Sequence, residues 1–154
     1  MSKLIVFDTG AIIELFNKSD TIISDQIEKY LEDKPHSPRI LYEPNLVELI
    51  YKLVKKEKLL SPYDIKINLD HFSIEICPVP DEYSKKIHAF YFSLTYKANF
   101  DYADFFMCAA ALRYENSTIL TVDRDDLPNA LLTAMRFFAP NGESTVQLIP
   151  YKAL

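Results

Sequence analysis

The sequence predicts an α/β domain in which short buried strands alternate with helices. Residues 4–7 form an apolar run typical of a buried strand, and apolar residues from Ala11 to Phe16 then repeat at helical spacing. The same order of strand and helix recurs further along the chain. The chain has only two glycines, Gly10 and Gly142, which argues against a many-turned all-β fold.

Length and composition predict one soluble domain spanning residues 1–154. The chain is 49% hydrophobic, which argues against disorder, and its longest apolar runs are too short to cross a bilayer. Asp8 interrupts the only apolar run near the N-terminus, so no signal-peptide pattern is present. We therefore expect an intracellular, cytoplasmic protein. Cys77 and Cys108 provide no disulfide framework, and with three scattered histidines they show no zinc-ligand spacing.

The remaining elements follow from periodicity and from proline breaks. The predicted helices are 21–33 after the cap Asp20, 45–58 after Pro44, 63–69, 81–96 capped by Asp81, and 100–115. The predicted strands are 39–42, 72–79, 117–123 and 146–149, with a turn at 124–126 and a loop or short helix at 128–138. The aromatic cluster Phe90, Tyr91, Phe92 and Tyr96 is expected to pack in the core rather than to stack bases.

Two aspartates each follow an apolar strand. Asp8 comes directly after residues 4–7, and Asp123 ends the predicted strand 117–123. An aspartate before a helix is often only an N-cap. In open α/β sheets, however, ligands bind at the carboxyl ends of the strands, where both of these acids would lie. Both interpretations of Asp8 remain open at this point.

Two predicted helices supply further acids. Glu48 lies off the centre of the apolar face formed by Leu46, Val47, Ile50, Leu53 and Val54. Lys52 and Lys55 follow Glu48 at i+4 and i+7, either as a solvated face with a Glu–Lys pair or as the lining of a groove. Asp101 is expected to cap the helix 100–115. Asp104 stands in an apolar part of that helix, on the face of Cys108 and Ala111, so its carboxylate needs a partner.

Carboxylates that converge need a counter-charge, because neighbouring like charges repel by several kcal/mol at an effective dielectric of about 20. Oxygen ligands without cysteine or histidine favour Mg²⁺ or Mn²⁺, and such sites hydrolyse phosphodiesters. The net charge of −5 argues against a broad basic surface for nucleic acid, but bound cations would reverse the field near the acids.

Four segments together resemble the acidic motifs of the PIN-domain ribonucleases, in the family's order and approximate spacing. They are LIVFDTGAIIELF with Asp8, PNLVELIYKL with Glu48, DYADFFMCAAAL with Asp104, and ILTVDRDD with Asp123. The resemblance implies a three-layer α/β/α fold with a central parallel sheet flanked by helices, and four catalytic acids that hold Mg²⁺ or Mn²⁺. It also implies RNA cleavage that leaves a 5′-phosphate. Thr9 and Thr121 resemble auxiliary hydroxyl residues, and Asp101 and Asp125 are the nearest substitutes for the motif acids.

The small size further resembles the VapC-type toxins, which cleave RNA and are inhibited by a cognate antitoxin protein. This resemblance implies an RNA substrate, an antitoxin partner and a homodimer, with no membrane partner. Lys52 and Lys55 are the predicted phosphate contacts. Residues 127–154 are longer than many toxin-type members need, and they carry no recognised acidic motif.

Three other protein classes share part of this pattern. The triplet Asp8-Thr9-Gly10 also occurs in retroviral-type aspartic proteases, but those are glycine-rich β dimers. Haloacid-dehalogenase-like phosphatases need a second acid at position 10, which is glycine here. A catalytically silent PIN-like module that binds RNA or protein is the strongest alternative, because a fold does not fix a function.

Overall fold

The computed structural model describes residues 3–94, 100–114, 116–122 and 126–138, and the backbone alone of 147–150. The strands are β1 (Leu4–Phe7), β2 (Arg39–Tyr42), β3 (Ile74–Cys77), β4 (Ser117–Thr121) and β5 (Gln147–Pro150). The helices are α1 (Thr9–Asn17), α2 (Thr21–Glu32), α3 (Glu43–Ile50), α4 (Pro62–His71), α5 (Asp81–Ser93), α6 (Tyr102–Ala111) and α7 (Asp126–Phe138). A π-helical segment, Tyr51–Lys56, continues α3.

The five strands form one parallel sheet in the order β3-β2-β1-β4-β5. The chain adds β2 and β3 on one side of β1 and then β4 and β5 on the other, so the strand order reverses at β1. Ligands bind at such switch points in open α/β sheets. The register pairs Phe7 of β1 with Leu120 of β4, which places Asp8 and Thr121 beside each other at the carboxyl end of the sheet.

Alternating side chains of β1 pack into two separate hydrophobic cores. Ile5 and Phe7 pack on one face against residues of α1–α4 and the π-helical segment, whereas Val6 packs on the other face against α5, α6 and α7. Both faces of the sheet are therefore covered by helices. This arrangement confirms the predicted three-layer α/β/α fold with a central parallel sheet.

The structure corrects several predicted elements. The strand predicted at 72–79 is only β3, because Ser73 has a positive φ of 54° and Pro78 follows Cys77. Pro80, rather than Asp81, takes the N-cap position of α5. The predicted loop or short helix at 128–138 is the 13-residue helix α7, which already begins at the predicted turn residue Asp126. Positions 95–96, 123–125 and 146, to which other predictions extended, lie outside the described residues.

The helix predicted from residue 45 onward differs in winding and in its buried face. Val47 is 67% exposed, whereas Leu49 and Leu53 are fully buried. Leu49 faces the core, and Val47 lies two residues earlier, about 200° away around the helix. The prediction that Val47 is part of the apolar face was therefore wrong.

The aromatic residues of α5 are used mainly for packing. Phe90 stacks on Phe137 with ring centroids 4.4 Å apart, and Tyr91 contacts Tyr102 and Phe105. Phe92 is 80% exposed, and Tyr96 is outside the described residues. In the described part of the chain, no helix has the length and apolar character needed to cross a bilayer.

Candidate active site

Asp8 lies at the junction of β1 and α1. It is 5% exposed and occupies the N-cap position of α1 with an extended backbone. The Thr121 hydroxyl donates a 2.7 Å hydrogen bond to Asp8 Oδ2, but the first-turn amides of α1, all among the described residues, donate none to this side chain. The capping interpretation of Asp8 is therefore wrong, because the carboxylate is held across the sheet by β4.

A second buried hydrogen bond connects the starts of α1 and α3. Asn45 Nδ2 donates to Thr9 Oγ1 at 3.0 Å, and both side chains are almost completely buried. Thr9 follows Asp8 directly, and Asn45 lies three residues before Glu48 on the same side of α3. The sequence prediction missed Asn45. The sequence signal for Asn45 was an amide side chain three residues before Glu48, in a stretch that is otherwise mostly apolar.

Gly10 allows α1 to start close to the end of β4. A Cβ atom at position 10 would lie 2.7 Å from Val122 Cγ2, which is closer than real Cβ contacts. Glycine is therefore required here by the close approach of the two segments. Gly10 follows Asp8 by two residues and Val122 follows Thr121, so this close approach lies next to the Asp8–Thr121 hydrogen bond.

The ionisation of Asp104 of α6 is strongly affected by its surroundings. Its pKa is raised to about 8, first by burial and then by the negative charges of Asp101, Asp8 and Glu48, while a hydrogen bond with the Asp101 backbone acts in the opposite direction. The pKa of the Cys108 thiol is also raised, by burial and by the charges of Asp104 and Asp8. The fold thus brings Asp8, Glu48 and Asp104 into one electrostatic environment.

Glu48 is half-buried on the flank of α3, and Lys52 and Lys55 are exposed on the π-helical segment. The ion pairs among the described residues join Lys18 to Glu28 and Lys66 to Asp70, so the predicted Glu48–Lys52 surface pair is not formed. The change to π-helical winding at Tyr51 removes the i, i+4 alignment that such a pair requires.

Asp101 acts as the predicted helix cap. Its Oδ1 accepts a 3.0 Å hydrogen bond from the backbone N–H of Asp104, and the side chain is exposed. Asp101 also raises the pKa of Asp104 through its charge. Asp123 and Asp125 lie outside the described residues, so their placement at the site stays a prediction.

The described acids fit a hard divalent cation in their chemistry. Their side chains offer carboxylate oxygens, the type preferred by Mg²⁺ and Mn²⁺, and a cation would offset the neighbouring charges that add to the effect of burial on the pKa of Asp104. Within the described ranges, no three His, Cys, Asp or Glu side chains form a group that could hold a metal ion. Asp123, the fourth predicted ligand, falls outside those ranges.

Fold and site together define a parallel α/β protein with acidic residues near the switch point of its sheet. A comparison with models of known families matches the PIN domain over residues 5–130, a range that contains Asp8, Glu48, Asp104 and Asp123. The chain therefore belongs to the PIN domain family. PIN domains are typically nucleases and generally use divalent metals. No curated protein matches the chain in a sequence search.

Proposed function

We propose that this PIN domain is a metal-dependent endoribonuclease that hydrolyses phosphodiester bonds of RNA. One observation carries the proposal: Asp8, Glu48 and Asp104 are close enough for their charges to help raise the pKa of Asp104 to about 8. A protein that only needed a stable fold would gain nothing from gathering three like charges at the carboxyl end of its sheet. A metal-dependent phosphodiesterase uses such a group of acids to hold its cation.

Asp8, Glu48, Asp104 and the predicted fourth ligand Asp123 would hold Mg²⁺ or Mn²⁺. When bound, the cation supplies Lewis-acid chemistry toward the phosphodiester and offsets the charge of the acids. The Thr121 hydroxyl fixes the direction of the Asp8 carboxylate. One of the carboxylates orients the attacking water or accepts its proton.

Lys52 and Lys55 are our proposed contacts to RNA phosphates. Both are exposed, and they follow Glu48 on the π-helical segment, a winding that is frequent at functional sites. Replacing both with alanine should make the salt dependence of RNA binding shallower, because fewer phosphate counterions are released. An unchanged slope would remove both residues from the proposal.

The resemblance to VapC-type toxins extends the proposal to a cellular role. In this role the chain is a toxin that acts as a homodimer on cytoplasmic RNA and is inhibited by a cognate antitoxin. Expression of the wild type should then arrest growth, and co-expression of the product of a neighbouring gene should relieve the arrest. Arrest by the Asp8→Asn variant to the same degree would contradict a nuclease toxin.

The direct test is cleavage of a panel of single-stranded RNAs with Mn²⁺, with Mg²⁺ and with a chelator. Wild type should cleave only with metal, and Asp8→Asn should lose most of the activity. Asp20→Asn is the matched control, because Asp20 also occupies an N-cap position but bonds to its own helix. This control should cleave as wild type does.

The competing function is a catalytically silent PIN-like module that binds RNA or protein. The observation in its favour is that the described residues contain no three-ligand metal group. Such a module should be inactive in every metal condition and show no stabilisation by Mn²⁺, since only a ligand that binds the folded state stabilises it. That pair of results would overturn the nuclease proposal.

A further inference from the structure

A cavity of about 570 Å³ opens beside the acidic site, at the carboxyl end of β3. It lies between the starts of α3, α5 and α6, and its size is that of small-molecule sites in proteins. The residues that carry the argument are Val47, Val79, Asp81, His88, Tyr102 and Phe106. We call this cavity the side pocket.

The side pocket and the acidic site share two helices. Val47 of α3 lines the pocket and precedes Glu48, while Tyr102 and Ala103 of α6 line it and precede Asp104. Consecutive Cα atoms are about 3.8 Å apart and neighbouring helical residues point about 100° apart, so the pocket and the acids lie on adjacent faces of α3 and α6. An RNA bound at the acids would therefore run close to the pocket.

The lining combines aromatic rings with a few polar groups. Tyr102 contacts Phe106 with ring centroids 5.8 Å apart, and His88 contacts Tyr102 at 5.6 Å and bonds to its hydroxyl. Valine side chains complete the apolar part of the wall. A flat, uncharged ring fits such a wall, because apolar and aromatic surfaces bind bases by stacking and burial.

The charges at the pocket favour a base over a phosphate. Glu43 and Asp81 line it, each as the first residue of its helix. Their carboxylates repel phosphate but accept hydrogen bonds from N–H groups. Adenine, cytosine and guanine carry an exocyclic amino group that can donate to them, whereas uracil has only a ring N–H.

We propose that the side pocket holds one unpaired nucleobase of the RNA substrate, next to the phosphodiester at the acidic site. The inference rests on the proposed function, because it assigns the pocket to the same substrate. Base capture there would select the cleavage position. Bases with an exocyclic amino group are favoured over uracil.

The test is titration of the metal-free protein with adenosine, cytidine, guanosine and uridine, followed by amide chemical shifts. Amino-bearing nucleosides should shift amides near the pocket, such as those of Val47, Val79 and Tyr102. Val47→Phe should fill the mouth of the pocket and weaken this binding by about tenfold, because the larger side chain occupies volume that the base would need. Ile22→Phe is the control, because Ile22 is 72% exposed on α2 and does not line the pocket.

Asp81→Asn tests the charge argument without filling the cavity. Asp81 is exposed in the first turn of α5, so the variant should fold, and it should narrow the preference for amino-bearing bases over uridine. Nucleoside shifts elsewhere, or equal binding by wild type and Val47→Phe, would overturn the proposal. So would a pocket that ignores nucleosides and binds a protein partner instead.

The titration needs neither metal nor cleavage, which separates the two proposals. Nucleoside binding at the pocket without RNA cleavage would refute the nuclease, and with it a role in selecting the cleavage position, and would leave only nucleobase binding by the pocket. RNA cleavage with no binding at the pocket, and equal cleavage of all sequences by Val47→Phe and wild type, would refute base capture and leave the nuclease standing.

Discussion

Asp8 and Asp20 occupy the same position relative to their helices, and the structure uses them differently. Asp20 is exposed, and its Oδ1 accepts hydrogen bonds from the N–H groups of Ile22 and Ile23 at 3.0 and 3.3 Å. Asp8 is buried, and its Oδ2 accepts from the Thr121 hydroxyl on another strand. One carboxylate is satisfied by its own helix and the other by tertiary structure.

The difference separates an aspartate that caps its own helix from one that is buried and bonded to another strand. A side-chain cap stabilises a helix by about 0.5–2 kcal/mol. α1 lacks this stabilisation, because the Asp8 side chain makes no capping hydrogen bond. The Asp8 carboxylate is instead buried where its charge raises the pKa of Asp104. The proposed cation would offset this gathering of negative charge.

The same contrast recurs within α6. Asp101 is an exposed cap that accepts from the Asp104 amide, and Asp104 is a half-buried acid with a strongly raised pKa. Three residues separate a capping aspartate from one that faces other acids. Substitutions at one aspartate of each pair test whether the capping aspartates and the more buried ones differ in function.

Among variants that keep every acid, the largest expected effect follows from removing the hydroxyl that holds Asp8. Thr121→Val should lower Mn²⁺ affinity and RNA cleavage by about tenfold or more, the usual loss when a group that orients a metal ligand is removed. Isothermal titration and cleavage rates measure both quantities. Thr133→Val is the control, since Thr133 bonds to the exposed Asn129 carbonyl on α7. Equal losses in both variants would show that Thr121 acts only through general stability.

A smaller effect is expected in the pH dependence of stability. The folded protein holds the Asp104 proton more tightly than the unfolded chain, because its pKa is about 8 rather than 3.8. Stability of the metal-free protein should therefore be lost as pH rises from about 4 to about 8. Asp104→Asn should flatten this decline and stabilise the protein at pH 8 by about 1 kcal/mol, a value reduced for solvent screening at a half-buried site.

Denaturant unfolding at several pH values, with a chelator present, measures this effect. Asp70→Asn is the control, because Asp70 is exposed and pairs only with the exposed Lys66 among the described ion pairs. If wild type and Asp104→Asn lost stability in parallel between pH 5 and 8, the pKa of Asp104 would not be raised in the folded protein.

The smallest effect concerns the ordinary cap. Asp20→Ala should lower the free energy of unfolding by about 0.5–1 kcal/mol, and Asp20→Asn should be nearly neutral because asparagine is an equally good cap. Thermal unfolding of the two variants measures the difference. RNA cleavage by both should match wild type. A loss of cleavage in Asp20→Asn would remove the distinction between Asp20 and Asp8.

The fold could be predicted because local signals agreed with it. The apolar runs at β1, β2 and β4 are strands, and the capping residues Asp20 and Asp101 begin the helices expected of them. The change to π-helical winding at Tyr51 and the exposure of Val47 could not be predicted. Both depend on how α3 packs against the sheet rather than on the sequence of α3 alone.

The sequence indicated Asp8, Glu48 and Asp104 as site residues, and their role in a site stays a prediction. Their contacts could not be predicted: the Asp8 carboxylate accepts a hydrogen bond from Thr121, 113 residues away, rather than from the first turn of its own helix. Asn45 was missed for the same reason, since its partner Thr9 belongs to another element. Long-range partners of this kind leave no periodic pattern in a single sequence.

Binding of Mn²⁺ to purified wild type and Asp8→Asn, measured by calorimetry at neutral pH, tests the central claim most directly. Asparagine keeps the shape of Asp8 and removes its charge, so a structural role would survive the change. We predict that wild type binds Mn²⁺ and that Asp8→Asn binds at least about 100-fold more weakly, beyond the loss typical of an outer-shell change. Equal affinities, or no binding by wild type, would contradict a metal site at these acids.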